Sequence, residues 1–129
     1  MSEADRELLE LAANAVGMEL RPMYVKPIRE SDGDGFIGYM TAHRDYRGWF
    51  DPLSCDADAL RLAVALGMNI DVGSHPVGFT ATAVIADHNS VFVDEYHDGD
   101  AMKATRRAIT RAAAEIGKSM NGEYPAKVK

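Results

Sequence analysis

The chain has a single cysteine, Cys55, among 129 residues. One thiol can form neither an internal disulfide nor a thiolate zinc cage within one chain, which favours a reducing cytosol. No apolar run approaches the roughly 20 residues that span a bilayer, and the first residues lack the basic start and continuous apolar core of a signal peptide. The sequence therefore predicts a cytoplasmic protein that does not associate with membranes.

The chain also lacks an excess of basic residues, since it has 14 Lys and Arg and 20 Asp and Glu, for a formal net charge of -6. A protein that coats duplex nucleic acid needs a continuous basic face to release counterions, so broad nucleic-acid binding is excluded. A local cationic pocket is still compatible with this composition. The length suits one core, so residues 1–129 are expected to form a single domain, with 121–129 as a polar tail.

Catalytic motifs are missing as well. The sequence contains no GxSxG, HExxH, GxxxxGK[ST] or GxGxxG pattern, and its histidines are scattered. Five potential ligands crowd into residues 94–100, but Asp98 and Asp100 stand where a helix is expected to begin and are interpreted as helix caps. The segment 30–41 imitates a calcium loop, yet its twelfth place holds Thr41 instead of Glu, which favours a hairpin turn. We expect no metal, no cofactor and no enzymatic activity.

Apolar spacing predicts three helices, beginning at Ser2, near Pro52 and near Asp100. Ser2 suits a helix cap, Ser54 is interpreted as a second one, and Gly17 and Gly67 are expected to end the first two helices. The second helix is expected to bury one stripe, formed by Ala59, Leu60, Ala63 and Val64. The predicted strands cover residues 18–26, 36–42, 68–72, 77–85 and 91–96, and the polar, aromatic segment 43–51 is expected to be a loop.

The predicted order is α-β-β-α-β-β-β-α, which indicates an α+β protein. A mostly antiparallel sheet of about five strands with apolar residues on both faces needs helices on both sides. The expected architecture is an α/β/α sandwich in three layers.

The last predicted helix concentrates positive charge in an otherwise acidic chain. Arg107 and Arg111 lie one turn apart, Arg106 flanks them, and forked guanidinium donors can grip two oxygens of a phosphate or pyrophosphate. In the preceding hairpin, Phe79 could stack on a base and Asn89 could bond its edge. The alternative interpretation is an ordinary solvated helix face.

A second hypothesis is that the chain binds another protein and has no small-molecule site. Tyr46, Trp49 and Phe50 lie close together in the sequence beside Arg44 and Arg47, and such aromatic residues are typical interface anchors. The same rings could instead seal a sheet edge or a dimer contact. A third hypothesis, metal-dependent hydrolysis through Asp94, Glu95 and His97, has the least support.

Two segments carry a resemblance to a known family. Residues 51–64, DPLSCDADALRLAV, resemble the NPLTDDGDALRLAV signature of the phage ABA-sandwich family of small phage and prophage proteins, and residues 104–109, ATRRAI, are similar to its closing helix. The chain departs most from the signature at Asp51, Cys55 and Ala57, beside the start of a helix. These motifs are specific for the family and carry little information about function.

The arginine-bearing last helix also resembles that of the Thoeris anti-defence proteins of phages, which sequester cyclic ADP-ribose isomers without cleaving them. The resemblance implies that Arg107 and Arg111 contact phosphates and that Phe79 and Asn89 contact the base. It implies a non-enzymatic protein that sequesters a cyclic ADP-ribose or cyclic oligonucleotide signal in an infected or lysogenic bacterial cell. The pocket is expected at a subunit interface, which makes a homo-oligomer the expected assembly.

Overall fold

The computed structural model describes residues 2–25, 36–43, 46–74, 80–88 and 90–120, which form an α+β fold. The helices are α1 (Glu3–Ala15), α2 (Asp56–Ala65) and α3 (Ala101–Met120). The strands are β1 (Arg21–Val25), β2 (Phe36–His43), β3 (Tyr46–Trp49), β4 (Asn69–Ser74), β5 (Thr80–Ala86) and β6 (Val91–Tyr96). The three predicted helices are confirmed.

The described strands pair antiparallel in two separate sheets, ordered β1-β2-β3 and β4-β5-β6. The predicted hairpin is confirmed, with Tyr24 opposite Ile37. The prediction of a loop throughout 43–51 is wrong, because β3 pairs with β2 and places Trp49 opposite Met40. Aromatic residues favour strands, and a neighbouring strand supplies hydrogen bonds that no sequence period reveals. Because the described strands form two sheets of three strands each, the prediction of one sheet of about five strands is not confirmed.

The hydrophobic core lies between the helices and one face of the β4-β5-β6 sheet. Helix α3 packs on β5 and β6, while α1 and α2 pack against α3. Leu9, Leu62 and Val84 bring α1, α2 and β5 into one buried cluster. Phe50, expected as an exposed interface anchor, is only 2% exposed and belongs to this core, so it is unavailable to a partner.

Both short helices end in the same way. Gly17 and Gly67 have φ angles of 74° and 60°, the left-handed region that glycine adopts without a Cβ penalty. The N–H of Met18 then donates to the carbonyl of Ala13 at 2.9 Å, and that of Met68 to Ala63 at 3.0 Å. These bonds satisfy carbonyls that the helix leaves open, so the predicted glycine stops are confirmed.

The start of α2 differs from the prediction. Cys55, not Ser54, is the N-cap, and its side chain makes no cap hydrogen bond. Leu60 and Val64, expected in the buried stripe, are 61% and 73% exposed. The helix buries Ala59 and Ala63, as predicted, together with Asp58 and Leu62. Helical spacing marks several apolar residues on α2, and the position of α3 decides which of them are covered.

A buried chain of polar groups joins the β4-β5-β6 sheet to α3. Thr82 is fully buried, and its Oγ1 lies 2.9 Å from His97 Nε2 and 2.8 Å from Thr105 Oγ1. The hydroxyl of Thr82 therefore satisfies two other polar groups in a region of low dielectric. Because a buried polar group without a partner is costly, this residue should be sensitive to substitution.

We expect Thr82→Val to lower the free energy of unfolding by about 1–2 kcal/mol, because it keeps the shape and removes both hydrogen bonds. Thr110→Val is the matched control. Thr110 is also fully buried, but its hydroxyl donates only to the carbonyl of Arg106 in its own helix. Denaturant unfolding measures the free energy of unfolding of both variants. An equal decrease for the two would show that the hydrogen bonds of Thr82 to His97 and Thr105 add no stability beyond that of an ordinary buried hydroxyl.

Candidate ligand-binding site

The guanidinium groups of Arg107 and Arg111 meet at one carboxylate on β6. Arg111 Nη1 lies 2.5 Å from Glu95 Oε2 and also donates to the carbonyl of Asp94 at 3.0 Å. Arg107 Nε lies 3.9 Å from the same Glu95 oxygen. Its Nη1 pairs with Asp5 Oδ1 at 3.2 Å. The two arginines converge, as the sequence predicts. The group that both of them contact is the carboxylate of Glu95, which belongs to the same chain.

Strand and helix geometry places these groups together. Along β6, Val91, Val93 and Glu95 alternate toward one side, and the two valines are buried in the core beneath α3. Glu95 therefore lies on the side of the strand that faces α3. Asp5 comes from the first turn of α1, which packs along α3.

The four side chains balance one another in charge, with two guanidinium groups and two carboxylates. Their side chains are partly exposed, at 38% for Arg107, 40% for Arg111, 30% for Asp5 and 22% for Glu95. Solvent weakens ion pairs at such positions, so each contributes little to stability. Each of the two arginine side chains keeps more than a third of its surface exposed to solvent.

Arg106 points to a different part of the molecule. Its Nε donates to the carbonyl of Leu53 at 2.9 Å, and its Nη1 pairs with Asp56 Oδ1 at 2.8 Å. Its side chain is 19% exposed. Arg106 thus fastens α3 to the start of α2, and its guanidinium is committed there instead of joining Arg107 and Arg111.

The other predicted site residues either lie outside the described residues or belong to other parts of the fold. Phe79 and Asn89 lie outside the described residues, as does the 121–129 tail. The backbone of Tyr46 and Trp49 belongs to β3. Phe50 lies in the core.

Sequence reasoning missed Asp5 and Glu95 as partners of the arginines. A signal for Glu95 was present, because the alternation Val91, Val93, Glu95 puts a carboxylate on the apolar side of β6. A carboxylate on a covered face needs a cation, and α3 carries several. Asp5 had no such signal, since only the packing of α1 on α3 brings it near Arg107.

The acidic side chains that lie close together in the sequence at 94–100 contact different partners in the structure. Glu95 pairs with arginines, His97 contacts Thr82, and Asp100 Oδ1 accepts the N–H of Lys103 at 3.0 Å, which confirms its capping role. Within the described ranges, no three side chains among His, Cys, Asp and Glu come together as a metal site would require. None of the helices described has the length and apolar character needed to cross a membrane.

Comparison of the chain with models of protein families, with curated proteins and with solved structures found no match. The chemistry of the described side chains is therefore the basis for a functional proposal.

Proposed function

We propose that this protein binds and sequesters a nucleotide-derived anion at Arg107 and Arg111, without catalysis. The observation that carries the proposal is the convergence of both guanidinium groups on one Glu95 oxygen, at 2.5 and 3.9 Å. A carboxylate oxygen and a phosphate oxygen accept the same charge-assisted hydrogen bonds. Glu95 therefore marks the place that a phosphate of the ligand would take.

Glu95 also acts as an internal competitor in this proposal. A ligand has to displace it, and the displaced carboxylate regains water because the cluster is partly exposed. Two arginines without Glu95 carry a net positive charge that favours a phosphate or pyrophosphate over a singly charged acid. The affinity for the ligand then depends on how much more strongly the two guanidinium groups bind its phosphate than they bind the carboxylate of Glu95.

The proposal takes the ligand class from the resemblance to Thoeris anti-defence proteins, with a cyclic ADP-ribose isomer or a cyclic oligonucleotide as the bound signal. Phe79 and Asn89 are proposed base contacts on the same ground. Action in the cytoplasm of an infected or lysogenic bacterium, assembly as a homo-oligomer, and the three-layer sandwich of the phage ABA-sandwich family are further parts of this proposal.

Calorimetric titration with cyclic ADP-ribose isomers and cyclic di- and trinucleotides tests the proposal. We expect Arg111→Gln to weaken binding at least about tenfold, which corresponds to about 1.4 kcal/mol. We expect Glu95→Gln to strengthen binding by about the same factor, because it removes the internal competitor and keeps the shape. The opposite signs of these two effects distinguish an anion site from a structural ion pair.

Lys118→Gln is the matched control, because it removes one positive charge from α3 about two turns beyond Arg111. Its affinity should equal that of the parent chain. Absence of heat with every ligand, from protein whose fold is verified by circular dichroism, would overturn the proposal. So would weaker binding by Glu95→Gln.

A further inference from the structure

The face of the β4-β5-β6 sheet that points away from α3 forms a separate surface, here called the outer face. Residues paired across antiparallel strands share a face, and successive residues alternate between faces. Val84 and Val93 pair with each other and lie in the core, so their neighbours in sequence point outward. The outer face consists of Asn69, Asp71, Gly73, Ala81, Ala83, Ile85, Phe92, Asp94 and Tyr96.

The outer face has a regular layout. Asp71 and Asp94 flank Ala83 in one row across the three strands. Neighbouring strands lie about 4.8 Å apart, so the two acidic residues are separated by about 10 Å, with only a methyl group between them. Phe92 and Tyr96 stand two residues before and after Asp94 on β6. The row thus places two carboxylates on either side of the small side chain of Ala83, with two aromatic residues flanking Asp94 along β6.

These border groups are open to solvent. Phe92 is 64% exposed and Tyr96 is 65% exposed. Asp71 and Asp94 are exposed as well. Among the described lysines and arginines, no side chain forms an ion pair with either of these carboxylates. Among the described residues, the outer face thus combines the exposed ring of Phe92 with two exposed carboxylates that have no ion-pair partner.

Charge complementarity favours a positively charged partner for the outer face. A second copy docked face to face would bring Asp71 and Asp94 against the same residues of an equally acidic chain, and nucleic acid would be repelled. A guanidinium group above Ala83 would instead find a carboxylate on each side and an aromatic ring to stack on. We infer that the outer face is a docking surface for a basic, arginine-bearing segment of another protein.

Fluorescence anisotropy with a labelled tetra-arginine peptide tests this inference on the full chain. We expect Asp71→Asn combined with Asp94→Asn to weaken binding at least about tenfold, because each carboxylate contributes a close partner to the guanidinium. Phe92→Ala should weaken binding about fivefold through loss of stacking. Since these residues are exposed, the fold should be retained, and circular dichroism of each variant checks this.

The matched control is Glu7→Gln combined with Glu10→Gln, which removes the same charge from exposed positions on α1. Its affinity should stay within about twofold of the parent chain, because distant charges are screened by salt. Arg107→Gln, which removes a guanidinium that contacts Asp5 and Glu95 and no residue of the outer face, should leave peptide affinity within about twofold of the parent chain, which separates this surface from the proposed anion site. Equal weakening by both double variants would show non-specific attraction and overturn the inference, as would a dimer of the parent chain that Phe92→Glu dissociates.

Discussion

Gly117→Ala should destabilise the protein, although alanine is the better helix former. Gly117 lies within α3, where α1 crosses it, and its carbonyl accepts a hydrogen bond from Asn14 Nδ2 at 3.2 Å. A Cβ at this position would lie 2.8 Å from the carbonyl carbon of Leu11 and still closer to its oxygen. Both obstacles are backbone atoms, so α1 as a whole must move.

Overpacking of this kind costs about 3 kcal/mol, and the gain in helix propensity returns about 1 kcal/mol. We therefore expect a net loss of about 2 kcal/mol in the free energy of unfolding, measured by urea denaturation. Ser119→Ala, two residues further along the same helix and only partly buried, should change stability by less than about 0.5 kcal/mol. A higher melting temperature for Gly117→Ala would contradict the close crossing of α1 and α3.

Asp58→Ala is expected to be the most damaging substitution of a charged residue in the described part of the chain. Asp58 is only 5% exposed, accepts the backbone N–H of Asp51 at 2.8 Å and pairs with Arg61 at 3.1 Å. It also places negative charge in the first turn of α2, whose N-cap Cys55 gives no side-chain hydrogen bond. Alanine would leave the part-buried N–H of Asp51 without this partner and would remove the buried carboxylate beside it.

The expected loss for Asp58→Ala is about 3 kcal/mol, combining an unsatisfied N–H with the lost charge interactions. Asp58→Asn isolates the charge, because its amide oxygen can still accept the N–H of Asp51, and it should lose about 1 kcal/mol. Thermal and urea unfolding of both variants give the comparison. Equal stability of the two variants would show that the hydrogen bond to Asp51 contributes nothing.

The helix ends were predictable because their signals are local. Ser2 accepts the N–H of Asp5 at 3.1 Å, and Gly17 and Gly67 take the backbone angles that glycine allows. Strand β3 was not predictable in the same way, since its residues show no alternation and it forms only because β2 lies beside it. Likewise, the exposure of Leu60 and Val64 depends on where α2 meets α3.

For the candidate site, the spacing of Arg107 and Arg111 determined that two guanidinium groups would share one side of a helix. Only the tertiary structure decided that they share the carboxylate of Glu95, that Asp5 joins them and that Arg106 is committed to α2. The physical reason is the separation along the sequence between the groups that interact. Caps, turns and helical faces depend on residues within about one turn, whereas the ion pairs of the candidate site and the helix crossing join residues that are far apart in the sequence.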